Sequence, residues 1–135
     1  MKAKAQYAVE KWDEKTSEEV SSGMKLTKAS VVYSFQGDLV GKASVEYLMF
    51  YTHIDPNDQH NSAAVYSGMI HFKGELSGKE GSFAMLDEGT FENGAAISKL
   101  KIISGSGLGA LNKIAGSGSY HAGKEGFFLE LDFSL

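Results

Sequence analysis

Apolar and polar residues alternate along most of the chain with a period of two. Aromatic and β-branched residues recur in segments of about 10 to 14 residues, and clusters of Gly, Asn, Asp and Ser separate these segments. This pattern is typical of an antiparallel β meander. It predicts strands over residues 2–12, 25–36, 40–53, 63–76, 80–92, 95–104, 114–122 and 125–134.

Only two short segments are candidates for helix. Thr16 and Glu19 have the spacing of a capping box, which suits one or two helical turns, and residues 108–114 are the other candidate. Neither could cover a sheet, so the sheet must bury its own apolar face by closing into a barrel or folding into a sandwich. Long, even strands and short turns favour a single-domain, all-β, eight-stranded antiparallel up-and-down barrel over residues 1–135.

The dipeptide Asn93-Gly94 lies between two alternating segments and is the strongest hairpin signal in the chain. A two-residue turn there pairs Glu88 with Lys99 on a solvated face, and Asp87 with Leu100 on an inward face. The same register places three further pairs on the inward face: Phe91 with Ala96, Gly89 with Ser98, and Met85 with Ile102.

A turn over residues 77–80 extends this register to the preceding strand, although less directly. It predicts Ile70 beside Asp87, Phe72 beside Met85, and Gly68 beside Gly89. Residues 29–35 are apolar on both faces, so the first two strands receive no inward face. The predicted interior is lined by Tyr47, Met49, Tyr51, Tyr66, Phe72, Phe83, Met85, Phe91, Leu100, Ile102, Phe127, Leu129, Leu131 and Phe133.

Several short motifs together suggest a family. They are Lys11-Trp-Asp-Glu14, Lys25-Leu-Thr-Lys-Ala29, Val45-Glu-Tyr-Leu-Met49, Gly81-Ser-Phe83, Gly89-Thr-Phe-Glu92, Ser104-Gly-Ser-Gly-Leu-Gly109 and Gly116-Ser-Gly118. With them the chain resembles, nearly end to end, a bacterial family of uncharacterised proteins that adopt an allene oxide cyclase-like β-barrel. The resemblance implies that barrel fold, and it implies no assigned chemistry.

Composition narrows the function classes. Hydrophobic residues make up 42% and charged residues 22%, as in ordinary globular proteins. The absence of Cys excludes disulfides, thiol catalysis and zinc sites with thiolate ligands. All 13 basic residues are Lys and the net charge is -4, so we expect neither nucleic acid nor a membrane surface as a partner. The N-terminal segment lacks an apolar signal region, so we expect a cytoplasmic protein.

Motifs for cofactors, metals and hydrolysis are weak. Residues 105–110 satisfy G-x-G-x-x-A, but no helix and following parallel strand could fit after them, so we interpret them as a Gly-rich loop. Asp55-Pro-Asn-Asp-Gln lacks the Gly and Glu of a calcium loop. No Ser occupies a G-x-S-x-G elbow. His53, His60, His71 and His121 have no close metal-ligand spacing, so we expect neither a metal nor a cofactor.

Asp87 is the leading candidate for catalysis. Its predicted place among Met85, Leu100 and Ile70 would raise the pKa of the carboxyl group, which is how a general acid or base is built. Two alternatives stay open. Asp87 could be a structural residue bonded to a Tyr hydroxyl, or a register slip of one residue could place Glu88 inside instead.

Three functions are compatible with this sequence. The first is binding of a small apolar or amphipathic ligand in the interior, and the second is a cofactor-free isomerase or cyclase that uses Asp87. The third is a structural or interaction protein with a packed interior, and cavity volume distinguishes it from the other two. The candidate ligand-binding residues are Tyr47, Tyr51, Tyr66, Phe72, Met85, Ser98 and Leu100.

An apolar patch is predicted on the outer face of the third and fourth strands. Leu48, Phe50, Val65 and Met69 would be exposed together there. Such a patch more often marks a subunit interface than a ligand site, so we expect a homodimer or larger homo-oligomer.

Overall fold

The computed structural model describes residues 1–58 and 61–135, and the regular structure in that part of the chain is all β. The eight predicted strands are confirmed, and one two-residue strand is added to them. No helix among these residues is long and apolar enough to cross a membrane. The strands are β1 (Lys2–Ser21), β2 (Met24–Gly37), β3 (Leu39–His53), β4 (Ala63–Leu76), β5 (Lys79–Glu92), β6 (Ala95–Ile102), β7 (Leu108–Gly109), β8 (Ala115–Gly123) and β9 (Gly126–Ser134).

Antiparallel hydrogen bonds join all nine strands into one sheet. They connect β1 through β6 in chain order, continue through β8 and β9, and return from β9 to β1, so they form a ring through eight strands. The strand β7 pairs only with the start of β5. The ring is not a regular barrel, because the strands do not pair along equal lengths. The strand β1 pairs with β2 as far as Ser21 but pairs with β9 over residues 2–6 alone.

The turn between β5 and β6 sets the register predicted for it. Asn93 and Gly94 both have positive φ angles, 54° and 77°, as a two-residue hairpin turn with the right-handed twist of the strands requires. Every predicted pair across this hairpin is confirmed, including Asp87 opposite Leu100 and Glu88 opposite Lys99. The alternative in which a slip of one residue turns Glu88 inward is therefore wrong.

The turn between β4 and β5 is tighter than predicted. Ser77 and Gly78 have φ angles of 50° and 82° and form a two-residue turn by themselves. The predicted pairs across this hairpin were wrong by two residues. A shift of two leaves every side chain on its predicted face, so the interior assignment survives. The observed partners are Ile70 with Met85, Phe72 with Phe83, and Gly68 with Asp87.

The interior of the ring is packed at one end. Residues 103–114 close this end, and they form turns and β7 instead of the predicted helix. Their side chains Leu111 and Ile114 insert into the core, where they are 0% and 2% exposed. The fully buried core around them includes Leu39, Ile70, Phe72, Leu76, Phe83 and Met85.

Candidate functional site

A cavity of about 830 Å³ occupies the other end of the ring. This end carries the turns that connect β1 to β2, β5 to β6 and β8 to β9. Aromatic rings make up much of its wall, and small apolar residues such as Ala64, Ala96 and Ala122 lie between them. The aromatic residues that line it are Tyr7, Trp12, Tyr33, Tyr47, Tyr51, Tyr66, Phe91, Tyr120 and Phe127.

Four tyrosine hydroxyls meet at the floor of the cavity and form a continuous hydrogen-bonded network. The Tyr47 hydroxyl lies 3.1 Å from that of Tyr33 and 3.3 Å from that of Tyr120. Tyr120 donates to the Tyr66 hydroxyl at 3.0 Å, and Tyr66 in turn lies 2.6 Å from the Ser98 hydroxyl. These side chains come from five strands, so the closed ring itself brings the network together.

Asp87 lies beneath this hydroxyl floor and is fully buried. Its Oδ2 atom accepts a hydrogen bond of 2.8 Å from Tyr47, while its Oδ1 atom has no hydrogen-bond partner among the described residues. Burial raises the pKa of Asp87 to about 6, and the nearby hydroxyls of Ser98, Tyr47 and Tyr120 limit the rise. Asp87 therefore reaches the cavity only through the tyrosine hydroxyls above it.

The tyrosine hydroxyls themselves are held neutral. Burial is the main reason that the pKa values of Tyr47 and Tyr120 lie far above the usual range, and the charge of Asp87 raises them further. Burial also raises the pKa of Tyr33 to about 12. At neutral pH the ionisable group of the floor is therefore the carboxyl group of Asp87.

Two glycines on the inner face make room for this network. A Cβ atom at Gly68 would lie 2.5 Å from the Tyr47 ring, and one at Gly89 would lie 2.6 Å from the Tyr66 hydroxyl and 2.5 Å from the Ser98 hydroxyl. Real Cβ atoms do not approach other atoms this closely, so a side chain at either position would displace a member of the network.

A second polar cluster lies at the rim of the cavity, around Glu14. The carboxylate Oε2 of Glu14 accepts hydrogen bonds of 2.7 Å from both Thr27 and Tyr51, and its Oε1 accepts one of 3.0 Å from the Trp12 indole. The Lys25 ammonium lies 5.3 Å from the centre of the Tyr51 ring. The rim thus fixes a carboxylate beside an aromatic wall.

A β-bulge brings Glu14 to the cavity. Val9 pairs with Tyr33 but Lys11 pairs with Val32, so Glu10 is an extra residue in β1. Before it the odd-numbered Ala3, Ala5 and Tyr7 are buried, whereas after it the even-numbered Trp12, Glu14 and Thr16 line the cavity.

The same segment corrects a prediction. Thr16 and Glu19, predicted to start a short helix, lie in β1 because that strand runs to Ser21. Trp12 and Glu14 were not among the predicted site residues. No residue type in this part of β1 predicts the bulge, although Trp12 and Glu14 both belong to the family-like motif Lys11-Trp-Asp-Glu14.

The structure divides the predicted ligand-binding residues into three groups. Tyr47, Tyr51 and Tyr66 line the cavity. Ser98 is 2% exposed and lies behind Tyr66, to which it is hydrogen-bonded. The other three, Phe72, Met85 and Leu100, are buried in the packed core rather than along the described cavity wall.

The predicted inward face extends to the rim. Phe127, predicted to face the interior, lines the cavity at its open end, where it is 38% exposed and stacks on Tyr7 with the ring centres 5.4 Å apart. Among the described residues, no three His, Asp or Glu side chains come together as a group that could hold a metal ion. His60, one of the four histidines considered for such a site, lies outside the described residues.

The fold and the cavity define an all-β, near-barrel protein with one packed end and one hollow end. Its sequence matches the family described as "Protein of unknown function (DUF3224)" over residues 3–135, and the chain belongs to that family. Its structure is similar to the crystal structure of a DUF3224-family protein of unknown function from Shewanella oneidensis MR-1, with a TM-score of 0.79 and 20% identity. That similarity covers 100% of this chain and 97% of the other. A search of curated proteins finds no match.

Proposed function

We propose that this protein binds a small apolar or amphipathic molecule inside an allene oxide cyclase-like, up-and-down barrel. The observation that carries the proposal is the unequal filling of the interior. One end is packed with side chains that are almost completely buried, whereas the other leaves a cavity of about 830 Å³. Pockets for small ligands have volumes of roughly 300–1,000 Å³, so this cavity suits a single molecule.

The composition of the cavity wall supports binding rather than a packing defect. Binding pockets combine an apolar wall with a few oriented polar groups. Here the aromatic and alanine side chains supply the apolar area, and the Tyr33, Tyr47 and Tyr66 hydroxyls and the Glu14 carboxylate supply the polar groups. A purely structural protein with a packed interior would instead fill this end with side chains, as residues 103–114 fill the other.

A second candidate, a cofactor-free isomerase or cyclase, is favoured by the contact between Tyr47 and Asp87. Tyr47 lines the cavity and donates to Oδ2 of Asp87 at 2.8 Å. A bound substrate could give a proton to the Tyr47 oxygen while the Tyr47 proton moves to Asp87. The two transfers in reverse would then deliver a proton from Tyr47 to a different atom of the substrate, which completes an isomerisation. A carboxyl pKa of about 6 suits such an exchange near neutral pH.

The binding proposal is tested by filling the cavity. Ala96 lines it, so Ala96→Phe should place a ring inside, whereas Ala8→Phe adds the same ring at an exposed position of β1. We expect saturable binding of the neutral dye Nile red to the wild type and to Ala8→Phe, and at least tenfold weaker binding to Ala96→Phe. Equal binding to all three proteins, or no saturable binding to the wild type, would contradict the proposal.

A further inference from the structure

The donors and acceptors on the cavity floor select the chemistry of a ligand. Each phenol hydroxyl carries one proton to donate and can also accept hydrogen bonds. Tyr47 gives its proton to Asp87, so the 3.1 Å contact with Tyr33 requires Tyr33 to be the donor. Neither of these hydroxyls has a proton left for a ligand, and both retain an oxygen lone pair.

The other half of the network starts at Tyr120. Tyr120 donates to Tyr66 at 3.0 Å, so it too has no proton left for a ligand. Tyr66 also lies 2.6 Å from the Ser98 hydroxyl, where either oxygen can be the donor. The protons of Tyr33, Tyr47 and Tyr120 are therefore donated within the floor or to Asp87, and these three hydroxyls meet a ligand with oxygen lone pairs.

The charges around the cavity add to this preference. Asp87 beneath the floor is a buried carboxyl group, one oxygen of which has no partner in the described part of the chain, and Asp13 and Glu14 line the rim. Lys25 is the one lysine among the lining residues, and it is held at the rim, over the Tyr51 ring. A carboxylate that reached the floor would meet like charge and three hydroxyl groups whose protons are already donated, and both are costly in a buried site.

We propose that the end of the ligand that reaches the floor is a hydrogen-bond donor, an amine or a hydroxyl group, and that molecules ending in a carboxylate are rejected there. This inference rests on the proposed function, because it concerns the ligand of the same cavity. The aromatic wall also favours a protonated amine, since cations are attracted to the faces of Trp and Tyr rings.

The test compares three probes of similar shape and different polar ends: 2-phenylethylamine, 2-phenylethanol and 3-phenylpropanoate. Each is titrated at pH 7.5 against the wild type loaded with Nile red. We expect the amine and the alcohol to displace the dye at concentrations at least tenfold lower than the acid. If the dye binds but the acid displaces it at an equal or lower concentration than the amine and the alcohol, this inference is overturned and the proposed function is not. The same holds if the dye binds and none of the probes displaces it. Failure of the dye to bind would overturn the proposed function instead.

A variant pair tests the role of the floor directly. Tyr33→Phe removes one acceptor oxygen and leaves the hydrogen bond from Tyr47 to Asp87 in place. Tyr7→Phe is the matched control, because Tyr7 also lines the cavity but its hydroxyl donates to the backbone of His121, outside the network. We expect Tyr33→Phe to weaken binding of the alcohol at least fivefold more than it weakens binding of Nile red, and Tyr7→Phe to leave the ratio between the alcohol and acid affinities unchanged. An unchanged alcohol affinity in Tyr33→Phe would contradict the assignment of the floor as the acceptor.

Discussion

Replacing Asp87 with Asn tests whether the buried carboxylate is a cost to stability. The carboxyl group has a pKa of about 6 in the folded protein, against an ordinary value of 3.8. Because the folded state holds this proton more tightly, ionisation destabilises it, and the cost grows as the pH rises from about 4 to above 6. One pKa unit corresponds to about 1.4 kcal/mol, so the full cost is about 3 kcal/mol above pH 7 and about 1 kcal/mol at pH 4.5.

Asn has nearly the same shape, accepts the hydrogen bond from Tyr47 and does not ionise. The free energy of unfolding of Asp87→Asn, measured relative to wild type, should therefore rise by about 2 kcal/mol between pH 4.5 and pH 7.5. At pH 7.5 the variant should equal or exceed the wild type in stability, since the weaker neutral hydrogen bond offsets only part of the gain.

Urea unfolding of both proteins at the two pH values measures this difference. Glu88→Gln is the matched control, because it removes a carboxylate from the next position of the same strand, where the side chain is exposed. If Asp87→Asn is less stable than wild type by more than about 1 kcal/mol at both pH values, the hydrogen bond outweighs desolvation and Asp87 is a structural residue. A stability gain that grows with pH would support an acid or base role for Asp87, since that role needs the raised pKa; a loss at both pH values would oppose it.

Three further predictions concern the glycines of the network, the outer face of the sheet and the Gly-rich loop. Gly89→Ala should lower the free energy of unfolding by about 1–3 kcal/mol in urea unfolding, because its Cβ would overlap the Tyr66 and Ser98 hydroxyls, whereas Gly123→Ala has ordinary contacts and should be tolerated. The outer face of β3 and β4 should support a homo-oligomer, since Val65 is 56% exposed there; light scattering should show a smaller mass for Val65→Lys, and a monomeric wild type would contradict this. The loop over residues 105–110 should bind no nucleotide, and a thermal shift of several degrees with NAD, NADP, ATP or FMN would refute that reading.

The hairpin from β5 to β6 shows how far local signals carry a prediction. Asn93-Gly94 fixes the turn, the turn fixes the register, and the register alone turns Asp87 inward. The neighbouring hairpin was missed by two residues because Ser77, unlike Asn, gives little sign that it adopts a positive φ. The inner face survived that error, since the side-chain period of a strand is two.

Local sequence patterns of this kind could not predict the cavity. Phe72 and Tyr66 have the same inward orientation in an alternating sequence, yet one is packed in the core and the other lines the hollow end. The difference depends on the distance of each residue from residues 103–114, which fill one end of the ring. Residues 108–114 were a candidate for helix, and only the closed sheet shows that Leu111 and Ile114 fill its interior.

The bulge at Glu10 decides which residues of β1 form the rim, because one extra residue lets both Val9 and Trp12 face inward. If Glu10 is that extra residue, deleting it leaves Lys11 opposite Val32 and Trp12 opposite Val31, so Trp12 should keep its place at the cavity. The deletion also removes the ion pair between Glu10 and Lys42, which is exposed and contributes little, and Glu10→Gln controls for that loss.

Trp12 is the only tryptophan in the chain, so its fluorescence reports its position. In the wild type its ring stacks on Tyr47 with the centres 6.2 Å apart. We expect both the deletion and Glu10→Gln to leave quenching by acrylamide unchanged and Nile red affinity within about twofold of the wild type. The ring of strands should persist, because the pairing of β1 with β9 lies entirely before the bulge. If the deletion exposes Trp12 to acrylamide or weakens dye binding at least fivefold, then Glu10 is not an extra residue, and the faces assigned to β1 after it are wrong.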